Sequence, residues 1–186
     1  MSLAEISLAI LVLLVTPGPT NTLLFIAGSE RGAGRALRLI PAELAGYLAA
    51  VVPLMFVGAA LIAWVPFARQ GIMLVASLWV AVLAVRLFRL PGTGGAQAAI
   101  TARAVFVTTL LNPKAFIFGL VLLPGPTAQI NLMIFVGLVI LVAAGWATAG
   151  AAVMRSTGTA IPVLRRVAAV WLAVVSASLL LRGLVT

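Results

Sequence analysis

Val15-Thr16-Pro17-Gly18-Pro19-Thr20-Asn21 interrupts an apolar run over residues 3–28, and Leu111-Asn112-Pro113-Lys114-Ala115 interrupts another over residues 104–123. Proline lacks an N–H and its ring clashes with the preceding turn, so neither run can be one straight α-helix. Two prolines around a glycine leave several carbonyls without helical partners. Each such group would cost several kcal/mol facing lipid, so it must be buried against protein or line a wet cavity. Corresponding interruptions in two halves of an apolar chain are the sequence pointer to a transporter's binding site. A plain kink is the alternative, since proline is common in membrane helices. Pro53, alone in its apolar run, reads as such a kink.

The rest of the chain sets these breaks in a membrane. Of its 186 residues, 64% are hydrophobic and only 8% charged, against about 25% charged in soluble domains. That balance excludes a water-soluble globule, a disordered chain and, with no cysteine, a disulfide-stapled domain. A membrane-spanning helix needs about 20 apolar residues. Six such runs are present, over residues 3–28, 39–64, 67–85, 104–123, 130–154 and 162–181. They are too continuous for barrel strands, which alternate with a period of two. The fold class expected is all-α integral membrane, with six transmembrane helices.

Charge orients the bundle. The net charge of +9 is not a nucleic-acid signature, because the basic residues lie between apolar runs. Arg31, Arg35, Arg38, Arg86, Arg89, Arg103, Arg155, Arg165 and Arg166 fall on one side of a six-span arrangement, and only Arg69 and Arg182 on the other. The positive-inside rule places the larger group in the cytoplasm and both termini outside. The first run begins with Glu5 and no Lys or Arg, so the small-residue stretch Ala27-Gly28-Ser29 is not expected to be a signal-peptide cleavage site.

A glycine-rich break with Pro91 divides the chain near residues 92–98. One membrane domain over 1–186 then comprises three spans in residues 1–90, a connecting loop at 91–102 and three spans in 103–186. An odd number of spans per half makes the halves opposite in orientation, the arrangement of an inverted repeat. The first span of each half, the first and the fourth, carries the break.

Thr16, Pro17, Gly18, Pro19, Thr20, Asn21, Asn112, Pro113 and Lys114 are therefore the candidate substrate-binding or gating residues. Lys114 stands near the middle of its span, where a lysine costs roughly 2.5–3.5 kcal/mol on insertion scales. It either serves a site inside the protein or, if the span begins later, snorkels to an interface. Glu43, one turn into the second span, is a second candidate for proton coupling. It either takes up protons within the membrane or pairs with Arg35 or Arg38 at the interface. The chain has no histidine, so a proton-coupled step is left to Glu43, Lys114, Tyr47 or water. Gly145 with Ala149, Gly46 with Ala50, and Ala143, Ala147 and Ala151 follow the small-residue spacing of close helix contacts and permit a homo-oligomer. Trp64 and Trp171 are placed as interfacial anchors, and Trp79 and Trp146 as packing residues.

Taken together, Thr16-Pro17-Gly18-Pro19, Leu111-Asn112-Pro113-Lys114-Ala115, the basic turn over residues 28–35 and Arg86-Leu87-Phe88-Arg89 make the chain resemble the LysE/RhtB family of bacterial amino-acid exporters. The resemblance covers nearly the whole chain. It implies an inner-membrane secondary transporter that exports amino acids or close derivatives, coupled to the proton gradient. Thr20 stands where the family usually has Asn or Asp, and Asn21 follows it. Pro124-Gly125-Pro126 replaces the usual end of the fourth span.

The leading expectation is thus an exporter of an amino acid or related small zwitterion, with the lipid bilayer and that solute as partners and no nucleic acid. A channel-like conduit is the first alternative, although no selectivity filter or charged ring is visible. A membrane scaffold is the second, and it leaves Lys114 and the paired breaks unexplained. An enzyme is not expected: without His, Cys or a metal-ligand cluster most catalytic constellations are absent. No cofactor or metal is implied.

Overall fold

The computed structural model describes residues 2–64, 68–89, 100–157 and 161–185. The connecting loop placed at 91–102 and the division near 92–98 lie almost entirely outside the described residues. So do the side chains of Trp64, Arg69, Arg155, Arg165 and Arg182.

Among the described residues the chain is helical throughout, with no strand. The helices are α1 (Leu3–Val15), α2 (Pro19–Arg31), α3 (Ala33–Leu37), α4 (Ile40–Trp64), α5 (Ala68–Arg89), α6 (Ala102–Leu110), α7 (Lys114–Ile117), α8 (Ala128–Thr157) and α9 (Ile161–Val185). A π-helical turn, Phe118–Leu122, continues α7. Two stretches are long and apolar enough to cross a membrane, one within α3–α4 and one in α8. There are up to four if each bent pair is one span: α1 with α2, at 60°, and α6 with α7 and its π turn, at 53°. Helices α5 and α9 are not among them on the described residues. Pro53 lies inside an uninterrupted α4, as a kink rather than a break.

Local chemistry explains the helix ends. Ser2 and Glu5 form a reciprocal capping box at α1: Glu5 N donates to Ser2 Oγ at 3.3 Å and Ser2 N to Glu5 Oε2 at 2.9 Å, which satisfies two donors the helix cannot. Pro19 opens α2 at its first turn, where a missing N–H costs nothing. Gly32, at φ 77°, ends α2 in a conformation that glycine adopts without strain. Thr101 caps α6 by accepting from Ala104 N at 3.1 Å.

Polarity is arranged inside out. Phe56, Met133, Val121 and Leu78 point outward, 79%, 75%, 70% and 68% exposed, as side chains do that face lipid. Thr20, Asn21, Glu43, Thr109, Asn112 and Asn131 are buried. Helix α5 packs chiefly on α9, α2 on α8, α4 on α6 and on the π turn, and α1 on α8. Tyr47 meets Phe118 and Phe135 edge-to-face at 5.9 and 5.5 Å, and Phe118 and Phe135 pack tilted at 4.8 Å, locking α4, the π turn and α8 together beside the second break.

Glycines set the closest approaches. A Cβ built on Gly28 of α2 would lie 2.0 Å from Ala147 O of α8, and one on Gly150 of α8 would lie 1.9 Å from Phe25 O of α2. On Gly46 of α4 it would meet Phe106 O at 2.7 Å, and on Gly119 in the π turn it would meet Leu54 Cβ at 2.6 Å. Gly46, Ala143, Ala147 and Ala151 therefore serve helix contacts as their spacing suggests. Gly145 and Ala149 do not: Gly145 has no neighbour within 4 Å of its Cβ position, and both residues are exposed. Spacing alone marks a stripe without saying which way it faces.

Candidate functional site

The two breaks, far apart in sequence, meet. Lys114, at the start of α7, donates through Nζ to the carbonyl oxygen of Thr16 at the end of α1. Its Nζ lies 3.4 Å from the position a Cβ would take on Gly18, so the ammonium sits directly beside the glycine of the first break. One turn away, Thr20 and Thr109 share a hydrogen bond of 3.2 Å between α2 and α6. Lys114 is half-buried and reaches from one break to the other.

The carbonyls released by Pro17-Gly18-Pro19 find partners in side chains. Asn21 Nδ2 donates to Leu14 O at 2.8 Å and to Thr16 O at 3.1 Å, spanning the break from its far side. Thr22 Oγ1 and Thr22 N both donate to Gly18 O, at 2.8 and 2.9 Å. Thr16 Oγ1 returns to Val12 O at 2.7 Å. At the second break Asn112 Oδ1 accepts from Lys114 N at 3.1 Å, while Asn112 Nδ2 donates to Tyr47 OH at 3.4 Å. Asn131 of α8 donates to Leu123 O at 3.3 Å, capping the π turn. At the first break backbone oxygens are thus met by amides and hydroxyls, as broken helix in a membrane requires.

Glu43 completes the cluster. It is buried on α4, one turn before Tyr47, and its Oε2 has no hydrogen-bond partner among the described residues. Tyr47 connects it to the second break, since its OH accepts from Asn112 Nδ2, two residues before Lys114. Arg35 and Arg38 are exposed and neither is its partner.

The sequence candidates separate accordingly. Thr16, Gly18, Asn21, Asn112, Lys114 and Thr20 come together, with Glu43 buried on the neighbouring α4. Pro17, Pro19 and Pro113 shape the breaks but bring no polar group of their own to the cluster. Thr109, Asn131 and the bridging role of Tyr47 escaped the sequence reading. Thr109 had one signal, a buried-type hydroxyl pair Thr108-Thr109 three residues before a break. Trp79 Nε1 donates to Thr108 Oγ1 at 2.9 Å, and Trp146 stacks edge-on against Phe25 at 6.1 Å, so both act as packing residues. Trp171 is 40% exposed, in keeping with an anchor. A surface cleft between Pro17, Phe25, Trp146 and Trp171 opens beside the first break, with no charged residue in its lining.

No family model matches the chain, and no curated protein or solved structure is significantly similar to it. The geometry therefore carries the functional argument. Among the described residues no group of His, Cys, Asp or Glu is placed to hold a metal ion.

The amide of Asn21 provides a direct test of how the break is stabilised. Leaving a buried carbonyl without a donor costs about 1–3 kcal/mol. Asn21→Ala is expected to destabilise the purified protein by about that amount, read as a lowered melting temperature in detergent. An unchanged melting temperature would mean that Leu14 O has another donor and that Asn21 does not hold the break.

Proposed function

We propose that this protein is a secondary transporter of the bacterial inner membrane, exporting an amino acid or related small zwitterion in exchange for protons. The observation that carries the reading is the hydrogen bond from Lys114 to Thr16 O, which joins the two broken helices through a lysine within an apolar run. Broken helices offer a zwitterion both ends of a dipole: carbonyls for its ammonium, and half-helix N-termini for its carboxylate. Such a site reuses the groups that a channel or a scaffold would have no reason to bury.

Six spans in two inverted halves fit the packing. Let α1 correspond to α6, α2 to α7 with its π turn, α4 to α8, and α5 to α9. Exchanging the halves then carries the contact of α2 with α8 onto that of the π turn with α4. It carries α1 on α8 onto α6 on α4, and α5 on α9 onto itself. The close-approach glycines follow: Gly28 on α8 corresponds to Gly119 on α4. Alternating access would rock one half against the other about the joined breaks. In this reading both termini face outward, and the arginine-rich ends of α2, α5 and α6 face the cytoplasm. The resemblance to LysE/RhtB exporters points the same way.

The test is export. Cells expressing the chain, loaded with amino acids as dipeptides, are expected to release at least one amino acid faster than empty-vector cells by mass spectrometry. Collapse of the proton gradient is expected to remove the difference. No faster release of any amino acid, with the protein shown to be in the membrane, would overturn the reading.

A further inference from the structure

We propose that Lys114 is a switch between two partners, the Thr16 carbonyl and the Glu43 carboxylate, and that the switch makes occupancy of the site by substrate and by a proton mutually exclusive. The inference rests on the exporter reading and adds to it the coupling step.

The first half of the switch is the state observed. A carbonyl oxygen has two lone pairs, and at Thr16 both are in use, one by Lys114 Nζ and one by Asn21 Nδ2. Asn21 is fixed by its second bond, to Leu14 O. A substrate ammonium can therefore reach Thr16 O only by displacing the ammonium of Lys114. The lysine is a tethered stand-in for the cationic end of the substrate, and its place beside Gly18 is the place that end would take.

The second half is where Lys114 goes. A displaced lysine in mid-membrane needs a counter-charge. Glu43 is a buried carboxylate on α4, one turn before Tyr47, whose OH accepts from Asn112, the residue that also takes the Lys114 N–H, and its Oε2 has no hydrogen-bond partner among the described residues. The other groups around Glu43 do not compete. Tyr47 lies on the same helix, and Arg35 and Arg38 before it are exposed. Arg103 on α6, and Arg86 and Arg89 on α5, are exposed at helix ends. Helix α8 carries its charge only near its C-terminal end, at Arg155, and the π turn carries none.

Charge then balances as follows. With Lys114 on Thr16 O, Glu43 is a neutral carboxylic acid, since an ionised carboxylate buried without a hydrogen-bonded counter-ion is far costlier. Substrate arriving from the cytoplasm takes Thr16 O with its ammonium. Lys114 moves to Glu43, the Glu43 O–H bond breaks, and the proton leaves to the cytoplasm. Release of substrate outside returns Lys114 to Thr16 O, and Glu43 takes a proton from that side. Each substrate exported brings one proton inward. The substrate class this requires is a small solute with a free ammonium group.

Purified protein mixed with an equimolar set of the common amino acids, studied by calorimetry in buffers of different ionisation heat, is expected to release close to one proton for each substrate bound. In proteoliposomes, Glu43→Gln is expected to lose proton-driven, concentrative export and to weaken exchange of labelled for unlabelled amino acid, because the displaced lysine then has no counter-charge. The N-acetylated form of the bound amino acid is expected to release no proton, a measurement that needs no variant. Binding by the wild type without proton release, proton release by the acetylated form, or proton-driven export by Glu43→Gln would each overturn the switch while leaving the exporter standing. No binding or exchange of any amino acid by the wild type would overturn the exporter reading, and the switch with it.

Discussion

Replacing Lys114 by methionine is expected to reduce export to the level of empty-vector cells, with the protein still present in the membrane. Methionine matches much of the lysine's length and removes only the ammonium. What is lost is the bond to Thr16 O, a charge-assisted hydrogen bond of the kind worth about 1.5–3 kcal/mol. If that bond is exchanged for one to substrate during transport, its loss alone corresponds to roughly a ten- to hundredfold fall in rate. The loss of the cation that completes the cycle at Glu43 adds to it. Lys114→Arg separates charge from shape. The guanidinium keeps the charge but is broader, and the ammonium already lies 3.4 Å from where a Cβ on Gly18 would stand. Export by Lys114→Arg is therefore expected to fall between wild type and Lys114→Met. Efflux from dipeptide-loaded cells, normalised to protein in the membrane fraction, measures all three. Wild-type efflux by Lys114→Met would remove the lysine from the mechanism and take with it the observation on which the function rests.

The breaks could be read from sequence because their cause is local. Pro17-Gly18-Pro19 and Asn112-Pro113 deny the backbone its helical hydrogen bonds wherever they stand, and the bends of 60° and 53° follow. The partners of the released carbonyls are not local. Asn21 reaches back to Leu14, Lys114 across to Thr16, and Asn131 to Leu123, each choice fixed by tertiary packing that no spacing reveals. Charge in an apolar run was informative because its cost is large: Glu43 is buried, and Lys114, half-buried, bonds across the two breaks. Small residues were not, because in an alanine-rich chain the spacing recurs on every face. Gly145 and Ala149 had the expected spacing and face outward. Gly28 stood in a small-residue triplet of the kind found at processing sites, yet it lies, with Gly150, at a close contact of α2 with α8. The π turn at Phe118–Leu122 was also unread, since nothing in Phe118-Gly119-Leu120 distinguishes it from ordinary helix.

That contact yields the second large effect. Gly150→Ala is expected to prevent accumulation of folded protein, although alanine is the better helix former by about 1 kcal/mol. Its Cβ would sit 1.9 Å from Phe25 O and 2.8 Å from Phe25 C. These are backbone atoms of a buried helix, so no side chain can swing away, and the two helices would have to separate. Moving them apart also breaks the seat of Gly28 on Ala147 O, because Gly28 and Gly150 lie on the same interface. Overpacking by a methyl group costs about 1–3 kcal/mol where side chains can adjust; here they cannot, and α2 carries Pro19, Thr20 and Asn21 of the site with it. Gly145→Ala, on the same helix α8 but with no neighbour within 4 Å, is the control and is expected to leave stability unchanged or slightly raised. The yield of monodisperse protein by size exclusion and the melting temperature in detergent compare the two. Equal behaviour of Gly150→Ala and Gly145→Ala would mean that α2 and α8 do not approach through their glycines, and the joining of the two breaks would lose its structural support.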